Sequence, residues 1–370
     1  MSVLLKPVPG SIDPWVDVRS YSSINAAVTA IGSTQTTLVV PNAQTLIANL
    51  TIPPTLSLII LKGGSIVKAS TYTLTINGPF DAGLYQVFSG FAAGDVAFSS
   101  GSVNEIYPEW WGAKGDGATD DSTAVLATIA SIPTLAGATF GVVPKLKFIS
   151  GKTYVISQTL TMKQFMTIEM YGAKLKYTGN GIFLNYVYDG TATIMYTNTL
   201  GGVLEIVTDS ANVKAIHLDG ARWNRFRDVV IRGTSYLTLS TAIDITSVNG
   251  DNYLNNFDIQ IFRMGWAIKA NATTNNITAN TFNGDIFLNQ NGISLQGAIA
   301  NQFNFSNYEC YLGNQIWLEL KDSATYGGSV ENEFNIMRYE THETDFSKLT
   351  FTYEPLSIAN RFVLGQNAYG

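Results

Sequence analysis

Two apolar motifs alternate along the second half of the chain, and each returns about every 25 residues. The first motif is Asn-x-Phe, and its phenylalanines are Phe226, Phe257, Phe282, Phe303, Phe334 and Phe362. The second is a short apolar run built around one isoleucine, at Ile216, Ile243, Ile268, Ile293 and Ile316. Two strand motifs that share one irregular period predict a solenoid with one coil per repeat.

The alternation within each motif predicts which side chains face the interior of the solenoid. Successive side chains of a strand point to opposite faces, so we expect the phenylalanines and isoleucines inside. Neighbouring coils lie about 4.8 Å apart, so each phenylalanine stacks on the next. The asparagines form a second column, in which side-chain amides hydrogen-bond along the axis. The pattern therefore predicts an all-β fold, a parallel β-helix. An α-solenoid would need heptad-like apolar spacing, and a β-propeller would need repeats of about 40 residues.

The first half of the chain has no such signature but is also rich in short strand-like runs. Between residues 37 and 98, β-branched runs alternate with glycine and proline, which predicts short strands joined by tight corners over residues 21–106. The run INAAVTAI, residues 24–31, is compatible with two helical turns. Three prolines within residues 1–20 predict an extended arm or a docking peptide.

A glycine-rich loop and a helix are predicted from WWGAKGDGATDDSTAVLATI, residues 110–129. The glycines favour a sharply turning loop, and the Asp-Asp-Ser at 120–122 is typical of a helix N-terminus. Val125 and Ile129 recur at helical spacing and Pro133 ends the run, which predicts a short helix near residues 120–132. The aspartates lack the spacing of a calcium loop, so we interpret them as capping residues.

This segment resembles the N-terminal motif of the pectate-lyase-like β-helix family, which includes phage tailspikes and some polysaccharide-degrading enzymes. In that family a similar loop leads to a helix that caps the open end of the solenoid. Upstream runs such as TLVVPN and GSVNEIYPEWWG also resemble segments of phage proteins, and the likeness spans roughly residues 20–180. The resemblance implies a right-handed, single-stranded parallel β-helix over residues 107–370. It also implies a homotrimer.

The composition favours a sugar ligand over nucleic acid. Charged residues make up 14% of the chain, against a norm of about 25%, so the surface is built largely from neutral polar residues. The net charge is −6 and no basic run occurs, so we expect no nucleic-acid partner. One cysteine and two histidines give no zinc spacing, and we expect neither a metal nor another cofactor.

The sequence shows no secretion signal and no apolar run of about 18 residues, so we expect no membrane insertion. A sugar-binding protein that lacks a secretion signal fits release by cell lysis, as happens to virion parts. A cytoplasmic protein fits the missing signal equally well.

The residue after each isoleucine forms a predicted outward column, which consists of His217, Asp244, Lys269, Ser294 and Trp317. The residue before each isoleucine is mostly small, at Ala215, Ala242, Ala267, Gly292 and Gln315. A polar column beside small residues is typical of a shallow sugar groove, with Trp317 as a stacking surface and His217 and Lys269 as substrate ligands. The same pattern fits a close contact with a second chain or a solvated face, and both alternatives stay open.

Catalytic candidates lie six residues after each phenylalanine, where the chain reads Arg232, Arg263, Leu288, Glu309 and Glu340. Glu309 and Glu340 each follow a tyrosine, and Tyr308 and Tyr339 are further substrate-binding candidates. If the coils are in register, the two carboxylates lie roughly 5 Å apart. Repulsion at that distance separates their pKa values into an acid and a base, and the spacing matches that of retaining glycosidases. Asp244 is a third catalytic candidate. Exposure to water or ion pairing would instead make the two glutamates structural.

Three functions compete on this reading of the sequence. The first is a phage tailspike or tail fibre that binds and cleaves a host surface polysaccharide, attached to tail or baseplate proteins by the arm at residues 1–20. The second is a virion fibre that binds the receptor or completes the tail without catalysis. The third is a bacterial polysaccharide lyase or hydrolase, which the missing secretion signal disfavours.

Overall fold

The protein is described by a computed structural model over residues 15–134, 143–188, 197–310, 315–341 and 349–367. The chain forms two compact units, the first made of residues 1–113 and 123–133 and the second of residues 114–122 and 134–370. In both units the strands pair in parallel with strands one coil further along the chain. The predicted fold class, a parallel β-helix, is confirmed.

The first unit is a small solenoid of its own, with three short parallel sheets. One sheet contains β1 (Trp15–Asp17), β2 (Thr36–Val40), β5 (Leu56–Ile60) and β8 (Phe80–Ala82). The second contains β3 (Ala43–Leu46), β6 (Ser65–Lys68) and β9 (Phe88–Ser89). The third contains β4 (Leu50–Ile52), β7 (Leu74–Ile76) and β10 (Val96–Phe98). The short strands predicted from the sequence therefore wind as coils, and β1 starts inside the segment predicted to be an arm, whose residues 1–14 lie outside the described part.

The remaining elements of the first unit are helical, apart from the short strand β11 (Glu105–Ile106). They are the 3-10 turns η1 (Val18–Ser20) and η2 (Pro108–Trp111) and the helices α1 (Ile24–Ile31) and α2 (Ser122–Ser131), whose first residue belongs to the second unit. Helix α1 matches the predicted turns, and the Ser23 hydroxyl caps it by accepting the amide of Ala26 at 3.1 Å. Within the described residues, no helix is long and apolar enough to span a membrane.

The second unit has two long sheets that we name by their interior residues. The Phe face contains β13 (Lys145–Lys147), β16 (Thr167–Glu169), β19 (Asn198–Leu200), β22 (Arg225–Gly233), β25 (Asn256–Phe262), β28 (Thr281–Asn289), β31 (Gln302–Cys310), β33 (Glu333–Thr341) and β35 (Arg361–Asn367). The Ile face contains β15 (Leu160–Thr161), β18 (Ile182–Val187), β21 (Lys214–Asp219), β23 (Thr241–Thr246), β26 (Trp266–Asn271), β29 (Asn291–Gln296), β32 (Gln315–Lys321) and β34 (Leu349–Tyr353).

Two smaller groups of strands complete the coils of the second unit. A branch joins the Phe face at β22 and contains β12 (Asp116–Asp120), β14 (Thr153–Ile156), β17 (Lys174–Tyr177) and β20 (Val203–Ile206). A short third sheet contains β24 (Asn252–Tyr253), β27 (Ile277–Thr278) and β30 (Ala298–Ile299).

The predicted phenylalanine column is confirmed. Successive rings from Phe226 to Phe362 stack with centroids 4.6–5.0 Å apart and planes within 6° of parallel. The first five rings are at most 1% exposed, whereas Phe362 on the last described strand is 39% exposed. The stack follows from in-register parallel pairing, which places equivalent residues of successive coils one strand spacing apart.

The predicted asparagine column is also confirmed. Each side-chain amide from Asn224 to Asn332 donates to the side-chain oxygen of the asparagine in the next coil, at 2.8–3.1 Å. The same oxygen accepts the backbone N–H of the preceding asparagine at 2.9–3.1 Å. The residue before each asparagine has a left-handed backbone conformation, with φ of 54–60° at Trp223, Leu254, Ala279, Ala300, Glu331 and Ala359. The ladder therefore satisfies the buried polar groups of a sharp corner, which would otherwise be costly.

The predicted isoleucine column holds for four coils and is wrong at the fifth. Ile216, Ile243, Ile268 and Ile293 pair in register. Ile293 then pairs with Leu318 instead of Ile316. This register places Leu318 and Leu320 inside and Glu319 and Lys321 outside. A shift of two residues keeps every side chain on its face, so alternation alone does not distinguish the two registers.

The loop before α2 has the predicted turns, and its aspartates hold it together. Gly112, Gly115 and Gly117 all have positive φ, between 59° and 93°. Asp121 accepts the backbone amides of Lys114 at 2.6 Å and Gly115 at 3.1 Å, and the Asp120 carboxylate accepts the amide of Ser122 at 2.9 Å. The predicted helix near residues 120–132 is confirmed as α2.

Candidate functional site

Polar side chains line the outer surface of the Ile face over several consecutive coils. We call this surface the Ile-face strip and define it by Lys214, His217, Asp244, Trp266, Lys269, Ser294, Glu319 and Lys321. The in-register pairing of His217, Asp244, Lys269 and Ser294 confirms the predicted order of that part of the column. The strip is a row of side chains fixed by the solenoid backbone.

One end of the strip is a hydrogen-bonded cluster around Asp244. The Nδ1 of His217 lies 2.9 Å from one carboxylate oxygen of Asp244, and the Nζ of Lys214 lies 3.6 Å from the other. Lys214 also donates to the hydroxyl of Thr241 at 3.5 Å. The Asp244 side chain is only 15% exposed, and Lys214 and His217 on the preceding strand fix the position of its carboxylate.

The charges around Asp244 keep its carboxylate ionised. Burial alone would raise the pKa of Asp244, but the hydrogen bond from His217 and the charges of Lys214 and Lys269 outweigh it and hold the pKa below its usual value. An ionised carboxylate can only accept, so the Nδ1 of His217 donates and its Nε2 is left for a ligand. Asp244 therefore orients His217 and does not suit the role of a general acid.

The middle of the strip combines a cation with an aromatic ring. The Nζ of Lys269 lies over the ring of Trp266, 4.4 Å from its centroid. Burial lowers the pKa of Lys269, and the nearby charge of Lys214 lowers it further, while Asp244 and Glu319 act in the opposite direction. Trp266 is half-buried, so part of its indole surface is available to a ligand.

The other end of the strip is a second acidic cluster. The Ser294 hydroxyl donates to the Glu319 carboxylate at 2.8 Å, and the Nζ of Lys321 lies 2.8 Å from the same oxygen. Three strand spacings of about 4.8 Å separate Asp244 from Glu319 along the axis. That separation, about 14 Å, is too large for the paired carboxylates of a glycosidase. The two acids therefore serve different parts of the strip.

Sequence reasoning found four of the eight members of the strip and missed the other four, which are Lys214, Trp266, Glu319 and Lys321. Lys214 and Trp266 lie two residues before the interior isoleucines, where strict alternation would place them inside. Alternation fails because the residues between, Ala215 and Ala267, are themselves fully buried. The predicted outward row of small residues is therefore wrong, and Trp317 is replaced in the column by Glu319.

Trp317 and Tyr308, both predicted to bind substrate, pack together instead. Their rings meet edge to face with centroids 4.7 Å apart, and the Tyr308 hydroxyl donates to the Trp317 carbonyl. Tyr308 is 1% exposed. The neighbouring Gly292 has no room for a side chain, because a Cβ there would lie 1.9 Å from the Tyr308 oxygen. Tyr308 and Trp317 line an apolar cavity of about 370 Å³ and are not part of the candidate site.

The backbone register predicted for the paired glutamates is present. Glu309 pairs with Glu340, and Tyr308 pairs with Tyr339, on the neighbouring strands β31 and β33. Glu309 is 8% exposed, while the side chains of Glu340 and Tyr339 lie outside the described residues. The first step of the predicted column is wrong, because Arg232 pairs with Phe262 and not with Arg263. The long strands of the Phe face carry irregularities that shift its register.

The described residues contain no group of three or more His, Cys, Asp or Glu side chains arranged to hold a metal ion. The Ile-face strip offers something different, which is alternating donors and acceptors beside an aromatic surface. Neutral hydroxyl groups can both donate and accept, so they match such a surface better than a simple ion does.

Among the solved structures that match this chain, two show limited similarity to it. No protein-family model matches the sequence, and no curated protein matches it. ORF18 of Geobacillus virus E2 is 13% identical with a TM-score of 0.35, over 71% of this chain and 60% of the viral one. The mannuronan C-5 epimerase AlgE6 A-module of Azotobacter vinelandii is 12% identical with a TM-score of 0.24, over 95% and 99% of the two chains. Both TM-scores are below 0.5, so neither similarity bears on function.

Proposed function

We propose that this protein is a bacteriophage tailspike or tail-fibre protein that binds a host surface polysaccharide along the Ile-face strip. The observation that carries the proposal is the row of buried or half-buried polar side chains that the coils hold in register beside Trp266. Side chains fixed before binding lose little entropy when a ligand arrives, which favours recognition of a flexible polymer.

The chemistry of the strip supports a sugar chain as the ligand. Sugar rings present an apolar face that packs on indole and a rim of hydroxyl groups that donate and accept. The His217 Nε2 and the carboxylates of Asp244 and Glu319 can bind such hydroxyls, and Lys214 and Lys269 can donate to them. The virion assignment rests on the resemblance of residues 110–129 to tailspike sequences.

A glycan array of bacterial capsular and O-antigen polysaccharides tests the proposal with the full chain. We expect Trp266→Ala to weaken binding about tenfold, because it removes the stacking surface. The matched control is Trp15→Ala, which removes an exposed indole from the first unit and should leave binding unchanged. Equal loss in both variants, or undiminished binding by Trp266→Ala, would contradict the assignment to the strip.

Cleavage of the bound polysaccharide is a second candidate function, favoured by the backbone pairing of Glu309 with Glu340. Adjacent strands bring equivalent residues to about 4.8 Å, close to the carboxylate spacing of retaining glycosidases. Release of reducing ends from a polysaccharide that the array identifies measures this activity. Loss of release in both Glu309→Gln and Glu340→Gln, with binding retained, supports the pair as catalytic. Binding without any release at high protein concentration leaves a non-enzymatic fibre.

A further inference from the structure

A polar cavity of about 280 Å³ lies on the branch of strands β12, β14, β17 and β20, which is a different sheet from the Ile face. Its wall includes Lys174 and Lys176, two positions apart on β17 and therefore on the same face of that strand. The volume lies just below the range of small-ligand pockets, about 300–1,000 Å³, and suits one ring better than a chain.

The two lysines differ in whether an ion pair already engages their ammonium group. Glu205 on β20 lies 3.3 Å from the Nζ of Lys174 and accepts from Arg232 at 2.6 and 3.0 Å. Lys176 is the direct cross-strand neighbour of Glu205, yet no ion pair links Lys176 to any residue that the structure describes. Because Glu205 is already neutralised by two cations, the ammonium group of Lys176 has no competing acid in this wall except Asp116.

Asp116 at the rim is also engaged. Its carboxylate accepts the backbone amides of Ala118 at 2.9 Å and Thr119 at 2.7 Å and the Thr119 hydroxyl at 2.8 Å. The hydrogen bonds from Thr119 and Ala118 lower the pKa of Asp116 to about 2, so it is ionised at neutral pH. In the lining of the cavity Lys174 and Lys176 balance Asp116 and Glu205, and Arg232, which pairs with Glu205 from outside the lining, adds one net positive charge.

Glycines keep the floor of the cavity open to a ligand. Gly151 has a φ of 80°, and a Cβ built on it would meet no atom within 4 Å. Gly117 has a φ of 77° and also lines the cavity. Backbone groups there are accessible at close range, and Thr153 completes this part of the lining.

We infer that this cavity binds a single anionic group, a carboxylate or a phosphate, carried on a hydroxylated unit such as a charged monosaccharide. Lys176 forms an ion pair with the anionic group of the ligand. Lys174 stays paired with Glu205 and adds its positive charge nearby, and the Asp116 carboxylate accepts a hydrogen bond from a ligand hydroxyl. The inference does not depend on the proposed function, because the cavity and the Ile-face strip share no residue.

Calorimetric titration of the full chain with glucuronate, glucose 6-phosphate and glucose tests the inference. Glucuronate or glucose 6-phosphate should bind more tightly than glucose, and the better of the two identifies the anion. Lys176→Gln should weaken that binding about tenfold, because it removes a charge-assisted hydrogen bond. Lys145→Gln is the matched control, since it removes the same charge from an exposed lysine paired with Glu169 and should change binding less than twofold.

Several outcomes would overturn the inference. They are equal binding of glucose and the two anions, no binding of either anion, and equal affinity of the wild type and Lys176→Gln. Circular dichroism melts of both lysine variants establish that they are folded. If the Trp266→Ala variant loses polysaccharide but keeps the anion, the two sites are independent, as the structure requires.

Discussion

The asparagine ladder shows how one residue type resolves a problem that every coil of the second unit shares. Each sharp corner needs a left-handed residue followed by a partner for the backbone amide, and the asparagine oxygen supplies that partner in the next coil. The ladder was predictable because the same Asn-x-Phe signature recurs along the chain. The left-handed residue before it was not, since tryptophan, leucine, alanine and glutamate all occupy that position.

Replacing Asn280 by alanine tests the energetic value of the ladder. Asn280 is fully buried, and its oxygen accepts both the amide and the side chain of Asn255. The variant leaves the backbone N–H of Asn255 and one N–H of its side-chain amide without an acceptor, so we expect a loss of about 3 kcal/mol in the free energy of unfolding. Urea unfolding followed by circular dichroism measures it. Asn212→Ala on the exposed surface is the control, and a similar small effect in both variants would show that the ladder contributes little.

The acid dependence of stability tests the Asp244 cluster. The pKa of Asp244 is held below its usual 3.8, so its contribution is complete above pH 3.8 and is lost as the pH falls through the lowered value. We expect Asp244→Asn to cost about 2 kcal/mol at neutral pH, with the difference from the wild type shrinking below pH 3.8. Unfolding midpoints across the acid range measure this. A constant difference at all pH values contradicts the ionised state, and exposed Asp81→Asn is the matched control.

The sequence correctly predicted the site residues that lie on strands with a constant register. His217, Asp244 and Lys269 lie side by side as expected, because their strands repeat at a nearly constant spacing. Trp317 was misplaced because two registers of its strand, with Ile316 or with Leu318 opposite Ile293, give the same alternation of inward and outward side chains. Trp266 was missed because the alternation breaks where the chain rounds the corner into β26.

At the scale of strands, the register of β32 decides which residues reach the Ile-face strip. Leu318 occupies the interior column and is 4% exposed, while Ile316 is only partly buried. We therefore expect Leu318→Ser to cost about 3 kcal/mol, because it places a hydroxyl in the core and removes apolar volume. Ile316→Ser should cost about 1 kcal/mol. Thermal or urea unfolding distinguishes them, and the reverse order would restore the register predicted from the sequence.

The first unit shows where strand patterns fail to indicate a solenoid. Its strands are two to five residues long in the three sheets described, and the Asn-x-Phe motif of the second unit does not occur among them. The sequence therefore predicted strands and tight turns but not their winding. Parallel pairing between distant short strands depends on tertiary packing that no local pattern encodes.

At the scale of the whole molecule, the stacked phenylalanines form the continuous element of the core in the second unit. Phe282 touches rings on both sides, at 4.6 and 4.9 Å. Phe282→Ala should cost about 4 kcal/mol, because the coils on either side cannot close the cavity, while Phe282→Leu should cost less than half as much. Equal costs for the two would indicate a core that collapses around the gap.

A homotrimer attached to tail or baseplate proteins by residues 1–20 remains a proposal that rests on the resemblance. Light scattering coupled to size exclusion should give three times the chain mass of 40.1 kDa. A mass of one chain at micromolar concentration would remove the trimer and leave the proposed sugar site unaffected, because every residue of the strip belongs to a single chain.

The most direct test of the proposed function is a crystal structure of this chain with an oligosaccharide taken from a polysaccharide that it binds. We predict that a sugar ring packs on Trp266, with its hydroxyls within hydrogen-bond distance of His217 and Lys269. Density for the oligosaccharide on any other surface, with the Ile-face strip unoccupied, would contradict the proposal.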